Sequence, residues 1–202
     1  MIAIGVLELQ GGYALHHNLL KKIGLRSASV KSSNDLKKLD GLIIPGGEST
    51  TISLLMEKFN LRNAIIKFAE YYPVMGTCAG LILMSNNVDD ERINPLGLFN
   101  ISISRNAYGR QIYSSKKRIC LSYKKKDIDF YSTFIRAPKI ENIGSDVNII
   151  AKQGNVPVAV LSKNLLRLSF HPEIDGIDIF HRMMFDKSSK RYFSKLKQGY
   201  AT

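Results

Sequence analysis

The first half of the chain alternates apolar runs typical of buried strands with apolar residues at helical spacing. Residues 2–7 form a continuous apolar run, as expected for a strand that is covered on both faces. Residues 13–23 carry leucines and an isoleucine three or four positions apart, and Gly24 suits the end of a helix. Short strands are predicted at 26–30 and 41–44. The chain therefore begins with the mixture of strand and helix that is typical of α/β proteins.

The same alternation continues along the chain and predicts a parallel sheet. Pro45-Gly46-Gly47 follows the third strand, and a helix with Ile52 and Met56 on its apolar face comes next. A further helix over 61–71 leads into the apolar run 73–75. This order predicts an α/β fold with a doubly wound, mostly parallel sheet flanked by helices. Ligands bind such sheets beyond the carboxyl ends of the strands.

The second half changes to short strands separated by turns, which predicts an additional short-stranded antiparallel region. The predicted strands are 98–104, 110–113, 118–123, 133–136, 147–151, 156–161 and 165–170. Gln153-Gly154-Asn155 suits a hairpin turn, and Ile177, Phe180 and Met184 mark a final amphipathic helix. Because no repeat or linker interrupts the pattern, residues 1–202 are predicted to form a single domain.

Composition narrows the class of protein. The chain has 202 residues, 45% of them hydrophobic, which is enough for one α/β domain with a substantial core. Its net charge of +12 has two interpretations, a lysine-rich solvated surface or a surface that binds nucleic acid or anionic membranes. The basic residues are scattered without a nucleic-acid-binding motif, so the solvated surface is favoured. No apolar stretch reaches the length of a membrane span, and the first residues do not resemble a signal peptide.

The number and spacing of the cysteines indicate a reducing compartment, and the helical histidines carry no functional signal of their own. The two cysteines, Cys78 and Cys120, form no CxxC pair, so we expect neither a disulfide framework nor a zinc site, and a cytoplasmic protein. Cys120 lies in a predicted strand and is interpreted as core. His16, His17 and His181 lie on predicted helices and are interpreted as ordinary surface or core residues.

Cys78 lies in a pattern that predicts a nucleophile elbow. The pentapeptide Gly76-Thr77-Cys78-Ala79-Gly80 joins the apolar run 73–75 to a second one at 81–84. Its two glycines permit a sharp, strained turn between strand and helix, where a larger side chain would clash. The helix N-terminus favours a negative charge on the sulfur. The pattern therefore predicts that Cys78 forms a covalent acyl intermediate.

His171 and Glu173 are the candidate base and orienting group for this thiol. His171 follows the predicted strand 165–170 and precedes Pro172, which restricts the local backbone. A lone histidine in such a place is more often structural, and Glu173 alone would equally suit a surface carboxylate at a helix start. An elbow cysteine elsewhere in the chain favours a triad, because nucleophile, base and orienting group recur together.

Gly46-Gly47 is the candidate oxyanion loop. Glycine lets the main chain approach a ligand closely, so the N–H groups of Gly47 and Ala79 are predicted to form an oxyanion hole. Without the elbow, the same glycines would be interpreted as a loop before a helix with its N-cap at Ser49 or Thr50.

Five segments of the chain, in this order, resemble one family. They are Gly46-Gly47-Glu48-Ser49-Thr50-Thr51, Gly76-Thr77-Cys78-Ala79-Gly80-Leu81, Arg105-Asn106-Ala107-Tyr108-Gly109-Arg110-Gln111, Phe134-Ile135-Arg136-Ala137-Pro138 and Ser169-Phe170-His171-Pro172-Glu173. Over nearly the whole chain they resemble the glutaminase subunits of pyridoxal 5′-phosphate synthase, the PdxT type of class I glutamine amidotransferase. The elbow alone would be weak evidence. The first, third and fourth segments are specific, and they separate this family from the glutaminases of histidine, GMP or carbamoyl-phosphate synthesis.

The resemblance implies a class I glutamine amidotransferase-like (flavodoxin-like) fold and a glutaminase that converts L-glutamine to L-glutamate and ammonia. A thioester would form on Cys78, with His171 and Glu173 completing the triad and no cofactor or metal implied. The implied glutamine-binding residues are Gly47, Glu48, Ser49, Arg105, Ile135 and Arg136. An arginine suits the substrate α-carboxylate, and the sequence leaves open whether Arg105 or Arg136 binds it.

The resemblance also implies a partner. The ammonia would pass to a (β/α)8-barrel synthase subunit of the PdxS type, which makes pyridoxal 5′-phosphate (vitamin B6). The implied assembly is a barrel dodecamer that carries up to twelve glutaminases. Glu8 and Tyr13-Ala14-Leu15 depart from many members, and this segment is expected to face the synthase. No nucleic-acid or membrane partner is expected.

Two other functions stay open at this point. A stand-alone cysteine hydrolase or chaperone-like protein of the related elbow fold would share the segment around Cys78, although the segments around Glu48 and His171 disfavour it. A non-enzymatic basic binding protein rests on the charge alone, and a steep salt dependence of DNA or RNA binding would support it.

Overall fold

The computed structural model describes residues 2–105, 114–123 and 126–186. Their strands are β1 (Ala3–Leu7), β2 (Arg26–Val30), β3 (Gly41–Ile44), β4 (Val74–Thr77), β5 (Asn87–Val88), β6 (Ile101–Ser104), β7 (Ser115–Tyr123), β8 (Lys126–Phe134), β9 (Lys139–Ile143), β10 (Asn148–Gln153), β11 (Val156–Ser162) and β12 (Leu165–Leu168). Their α-helices are α1 (Tyr13–Lys22), α2 (Ser49–Lys58), α3 (Arg62–Tyr71), α4 (Ala79–Met84) and α5 (Ile179–Phe185). A 3₁₀ helix spans Ser33–Lys38.

The parallel half of the main sheet has the order β2-β1-β3-β4-β12, and each neighbouring pair in it runs parallel. β3, β4 and β12 are buried at every position, as strands covered on both faces should be. The predicted doubly wound parallel sheet is therefore confirmed. Its carboxyl edge carries Gly46-Gly47 after β3, Cys78 after β4 and His171 after β12.

The predicted antiparallel region continues the same sheet. Beyond β12 follow β11, β10, β7 and β8, each antiparallel to its neighbour, so the described residues form nine strands in one sheet. Gly154 has φ +57 in the turn between β10 and β11, which confirms the predicted hairpin. A separate three-stranded sheet has the order β5-β6-β9.

The main sheet lies between two layers of helices, each with its own core. On one face, α2, α3 and α4 contribute Ile52, Phe68 and Leu83 to the first core. On the other face, α1 and α5 contribute Leu20 and Phe180 to the second. The prediction that helices flank the sheet on both sides is confirmed. No helix of the described residues is long and apolar enough to cross a membrane.

Several predicted boundaries are wrong. β6 begins at Ile101 rather than 98, and β12 ends at Leu168 rather than 170. The strand predicted at 133–136 is the end of β8, which begins at Lys126 and stops before Arg136 takes φ +45. Its mostly exposed first half places Ile128 and Phe130 between charged residues at the two-residue spacing of a strand, and the prediction did not use this pattern. β5 and β9 were not predicted, because their short polar sequences carry little strand pattern.

Cys120 is half-buried rather than core, because alternation along β7 turns it to the face opposite the buried Ile119 and Leu121. The strand predicted at 110–113 lies outside the described residues.

Candidate active site

The elbow at Cys78 has the strained geometry that its two glycines permit. Cys78 has φ +48 and ψ −99, a conformation that L side chains rarely adopt. A Cβ on Gly76 would lie 2.7 Å from the carbonyl carbon of Gly80, and one on Gly80 would lie 2.1 Å from the Ile44 oxygen. The Cys78 N–H donates to the carbonyl of Leu168 at 2.8 Å, which fixes the turn against β12. The predicted elbow is therefore present.

His171 and Glu173 form a buried pair beside this elbow. The His171 Nδ1 lies 2.7 Å from Glu173 Oε1, and the two residues are 8% and 5% exposed. Pro172 lies between them in a turn after β12, and the His171 N–H donates to the Thr133 carbonyl of β8 at 2.9 Å. The interpretation of Glu173 as a surface carboxylate is therefore wrong.

The imidazole of His171 is held in its charged form. Burial lowers its pKa, but hydrogen bonding and attraction from Cys78 and Glu173 outweigh burial and raise the pKa of His171 to about 10. The Cys78 sulfur also contacts the Ile135 carbonyl oxygen at 3.7 Å. Thiol, imidazole and carboxylate thus lie in one chain of contacts, the arrangement that activates a nucleophile.

These groups open onto a cleft of about 620 Å³. The residues predicted from the sequence that line it are Gly47, Glu48, Ser49, Cys78, Arg105, Ile135, Arg136, His171 and Glu173. Ala79 is not among the lining residues, and its N–H belongs to the first turn of α4 directly after Cys78. The cleft therefore brings together every predicted site residue except Ala79, whose backbone follows that of Cys78 directly.

The loop at Gly46-Gly47 is fixed from two sides. The Gly46 N–H donates to Thr77 Oγ1 at 3.0 Å, and the Gly46 carbonyl accepts from the Gly12 N–H at 2.8 Å. Gly46 also packs so closely on the imidazole that a Cβ would lie 2.3 Å from His171 Cε1. Within the described chain, the Gly47 N–H has no hydrogen-bond partner. That leaves this donor available to a ligand.

The N-cap of the helix after this loop is Glu48, whereas the alternative interpretation of the two glycines placed the cap at Ser49 or Thr50. Glu48 is the N-cap of α2, and its Oε2 accepts from the Thr51 N–H at 2.9 Å. Serine and threonine are more common as N-cap residues than glutamate. Here the Glu48 carboxylate folds back onto the first turn of α2 and takes that role. The Ser49 hydroxyl is buried in the cleft wall without a hydrogen-bond partner in the described chain.

The two candidate arginines differ in their surroundings. Arg105 pairs with Glu48 and, at 2.6 Å, with Asp90. The threonine hydroxyls and the N–H at the start of α2, together with Arg105, lower the pKa of Glu48 although burial opposes them. Arg136 is exposed at the cleft and has no ion-pair partner in the described residues. The rest of the segment that begins at Arg105 lies outside the described residues.

Sequence reasoning missed a buried layer behind the triad. His16 is fully buried and lies 3.0 Å from His181 and 3.3 Å from the Thr77 hydroxyl. Gln10 accepts from the Glu48 N–H at 2.7 Å. The only available signal was that His16 falls on the apolar side of a helix beside Leu19 and Leu20, which suits any core histidine equally.

The fold and the cleft define a class, that of α/β proteins with a cysteine elbow at the carboxyl edge of a parallel sheet. The model of the SNO glutamine amidotransferase family matches residues 6–188. A pyridoxal 5′-phosphate synthase subunit PdxT of Dehalococcoides mccartyi (strain BAV1) is 42% identical over 194 residues, 94% of this chain and 98% of that protein. One of Caldicellulosiruptor bescii is 40% identical over 191 residues, 94% of this chain and 100% of that protein.

A solved structure agrees with these sequence relatives. A crystal structure of a glutamine amidotransferase superposes with a TM-score of 0.83 at 34% identity, covering 90% of this chain and 96% of that one. The chain therefore belongs to the SNO glutamine amidotransferase family. Membership disfavours both the stand-alone hydrolase and the basic binding protein.

Proposed function

We propose that this protein is the glutaminase subunit of a pyridoxal 5′-phosphate synthase, with Cys78, His171 and Glu173 as its catalytic triad. The observation that carries the proposal is the buried His171, which bonds Glu173 at 2.7 Å and interacts with Cys78 in the same cleft. Its relatives of 40–42% identity bear the name of that subunit. The substrate is L-glutamine and the acceptor of the ammonia is a barrel synthase.

The acylation step follows from the charge on His171. Cys78 is proposed to react beside the charged His171 as the thiolate, which is the form of cysteine that attacks carbonyl carbon. Attack of Cys78 on the side-chain amide forms a tetrahedral oxyanion, which the N–H groups of Gly47 and Ala79 stabilise. His171 then donates its proton to the amide nitrogen, ammonia leaves, and a γ-glutamyl thioester remains on Cys78.

Hydrolysis of the thioester reverses these roles. His171, now neutral, takes a proton from water, and the resulting attack on the thioester carbonyl releases glutamate and restores the thiolate. Glu173 keeps the imidazole oriented in both steps through its bond to Nδ1. Each step uses side chains, backbone and water.

Each of the two charged groups on the α-carbon of glutamine has a proposed contact of opposite charge in the cleft. Glu48 is ionised, and its carboxylate suits the α-ammonium group of glutamine. Arg136 suits the α-carboxylate, because it is exposed at the cleft and has no ion-pair partner among the described residues. Glu48, already paired with Arg105, would exchange that pair for the α-ammonium group. Ser49, with its unpartnered hydroxyl, and the backbone of Ile135 complete the proposed substrate contacts.

The proposed partner and compartment follow from the same site. Leu15, Ile135 and Ile174 are exposed around the cleft, and a synthase that covers them would exclude water and receive ammonia there. We propose an assembly of up to twelve glutaminases on a barrel dodecamer. We also propose the cytoplasm, because Cys78 must stay reduced to act and both cysteines are free thiols.

The test measures ammonia release from L-glutamine by the full chain, with and without a cognate barrel synthase. We expect slow release alone and faster release in the complex. Cys78→Ala should lower kcat by about 10³-fold or more, since removal of a triad nucleophile has effects of that order. The matched control is Cys120→Ala, which should leave kcat unchanged. Full activity of Cys78→Ala would refute the proposed nucleophile.

A further inference from the structure

Behind the triad, a buried imidazole contacts two parts of the proposed machinery at once. His16, on α1, is fully buried, and its Nε2 lies 3.3 Å from Thr77 Oγ1 and 3.8 Å from Glu173 Oε1. Thr77, also fully buried, accepts the Gly46 N–H at 3.0 Å. Neither His16 nor Thr77 lines the cleft. Their influence on the reaction therefore passes through neighbouring groups, which are Glu173, Gly46 and the peptide that joins Thr77 to Cys78.

These contacts form a closed ring that includes two residues of the triad, His171 and Glu173. From His16 the ring runs to Thr77 and then to the Gly46 N–H. Gly46 packs on the His171 ring, His171 bonds Glu173 at 2.7 Å, and Glu173 faces His16 again. A shift of His16 would therefore move the carboxylate on one side and the peptide before Gly47 on the other.

The surroundings of His16 fix its protonation. Burial is the largest cause that lowers the pKa of His16 well below its ordinary value, and the charged His171 adds to it, so the ring is neutral. A neutral ring next to the Glu173 carboxylate is most stable with its N–H on Nε2. His16 Nδ1 then accepts from His181 Nε2 at 3.0 Å.

His181 completes this arrangement. Burial lowers its pKa to about 3, so it is also neutral. Its Nδ1 is buried without a partner in the described chain. With its N–H on Nε2, His181 leaves only an acceptor lone pair on the unpartnered Nδ1, and no proton donor is buried there without an acceptor. The Nε2–H of His181 donates to His16 Nδ1, which is consistent with the N–H of His16 on Nε2.

We propose that His16 and Thr77 are a positioning pair for the glutaminase reaction, in which one neutral imidazole packs 3.8 Å from the Glu173 carboxylate and, through its hydrogen bond to Thr77, supports the Gly46 peptide. The inference rests on the proposed function, because its effect is on that reaction. A pair that acts through the triad and the oxyanion loop should affect the chemical step much more than the binding of glutamine.

The experiment compares His16→Gln with His16→Asn in the full chain, with glutamine hydrolysis and thermal unfolding both measured. A glutamine amide reaches the position of Nε2, whereas an asparagine amide reaches only that of Nδ1. We expect His16→Gln to keep kcat within about threefold and His16→Asn to lose about tenfold or more, since small misplacements of catalytic groups have effects of this order. KM should stay within about twofold in both, as expected when ground-state binding is intact.

The neighbouring histidine is the matched control. His17 lies on the same helix and contacts Glu8 and Ser27 instead of the triad, so His17→Asn should keep the wild-type kcat. Equal kcat in His16→Gln and His16→Asn, or a change in KM alone, would overturn the inference. If neither His16 variant folds, Thr77→Ser should keep the wild-type kcat, whereas Thr77→Val should lower kcat about tenfold. Equal kcat values in the two Thr77 variants would overturn the inference. An inactive wild-type chain, by contrast, would count against the proposed function itself.

Discussion

Gly46 leaves no room for a side chain between the loop after β3 and the triad. A Cβ there would lie 2.3 Å from His171 Cε1 and 3.4 Å from Cys78 Cβ. The imidazole would have to move away from the thiol to make space. At the scale of one residue, glycine is required at this position by close approach rather than by its dihedral angles.

Gly46→Ala should therefore impair catalysis more than folding. We expect kcat for glutamine hydrolysis to fall by about 10²-fold, the effect of misplacing a catalytic group by about 1 Å. The control is Gly24→Ala, because Gly24 has φ +77 and open space around its Cβ. It should lower the free energy of unfolding by about 1–2 kcal/mol and leave kcat unchanged. Normal kcat in Gly46→Ala would contradict the packing of His171 on this loop.

Arg167 is a fully buried guanidinium with few partners. Its Nη2 bonds the Met84 carbonyl at 3.3 Å and its guanidinium stacks on Phe99, but Nε and Nη1 have no partner in the described chain. Burial lowers the pKa of Arg167 well below its ordinary value. The energetic cost of burying this group is only partly offset by its contacts.

Arg167→Met should therefore keep or raise the free energy of unfolding, by up to about 4 kcal/mol, because an apolar side chain of similar size removes the desolvation cost. Chemical denaturation measures it. The control is Arg182→Met, whose exposed pair with Asp178 contributes no more than about 1 kcal/mol. A clear loss of stability in Arg167→Met would show that the buried arginine is a net stabilising group.

At the scale of elements, the turn that carries His171 is tied to β8 by Asp175. This carboxylate accepts the Thr133 N–H at 2.7 Å and pairs with Lys116 at 2.7 Å. These bonds lower the pKa of Asp175 although burial opposes them. Since Thr133 also accepts the His171 N–H, Asp175 fixes the edge of the site.

The stabilisation from Asp175 should depend on pH with a definite sign. A carboxylate with a depressed pKa contributes its stability above the unfolded value of about 3.9 and loses it as the pH falls through the lower folded value. Asp175→Asn should therefore be less stable than wild type at pH 7, and the gap should close in acid. The control is Asp129→Asn, whose pair with Arg118 is exposed to solvent and should therefore give a smaller gap than Asp175→Asn. A gap that is constant across this range would contradict the role given to the ionised carboxylate.

Local signals predicted some elements well and others poorly. Gly24 ends α1 as predicted, with the Leu25 N–H returning to the Leu20 carbonyl. The apolar runs of β3 and β4 predicted these strands correctly, and the glycines around Cys78 predicted the elbow. The first half of β8 was missed because the charged residues around Ile128 and Phe130 obscured the two-residue spacing of these apolar side chains.

At the scale of the whole molecule, the site joins the two halves of the sheet. The parallel half supplies Cys78 and the Gly46-Gly47 loop, and the antiparallel half supplies Ile135 and Arg136 after β8. Convergence of strand ends on one edge was predictable from topology. The contact between His16 and His181, 165 positions apart, was not, because it depends on how α1 and α5 pack beneath the sheet.

The most direct test of the central claim is irreversible labelling with 6-diazo-5-oxo-L-norleucine, a glutamine analogue that alkylates an attacking nucleophile. The account predicts one adduct per chain on the peptide that contains Cys78, absent in Cys78→Ser and much slower in His171→Asn. Mass spectrometry of the digested protein identifies the labelled peptide, and Cys120 provides an internal control. An adduct on Cys120, or labelling of Cys78 at an unchanged rate in His171→Asn, would contradict the account.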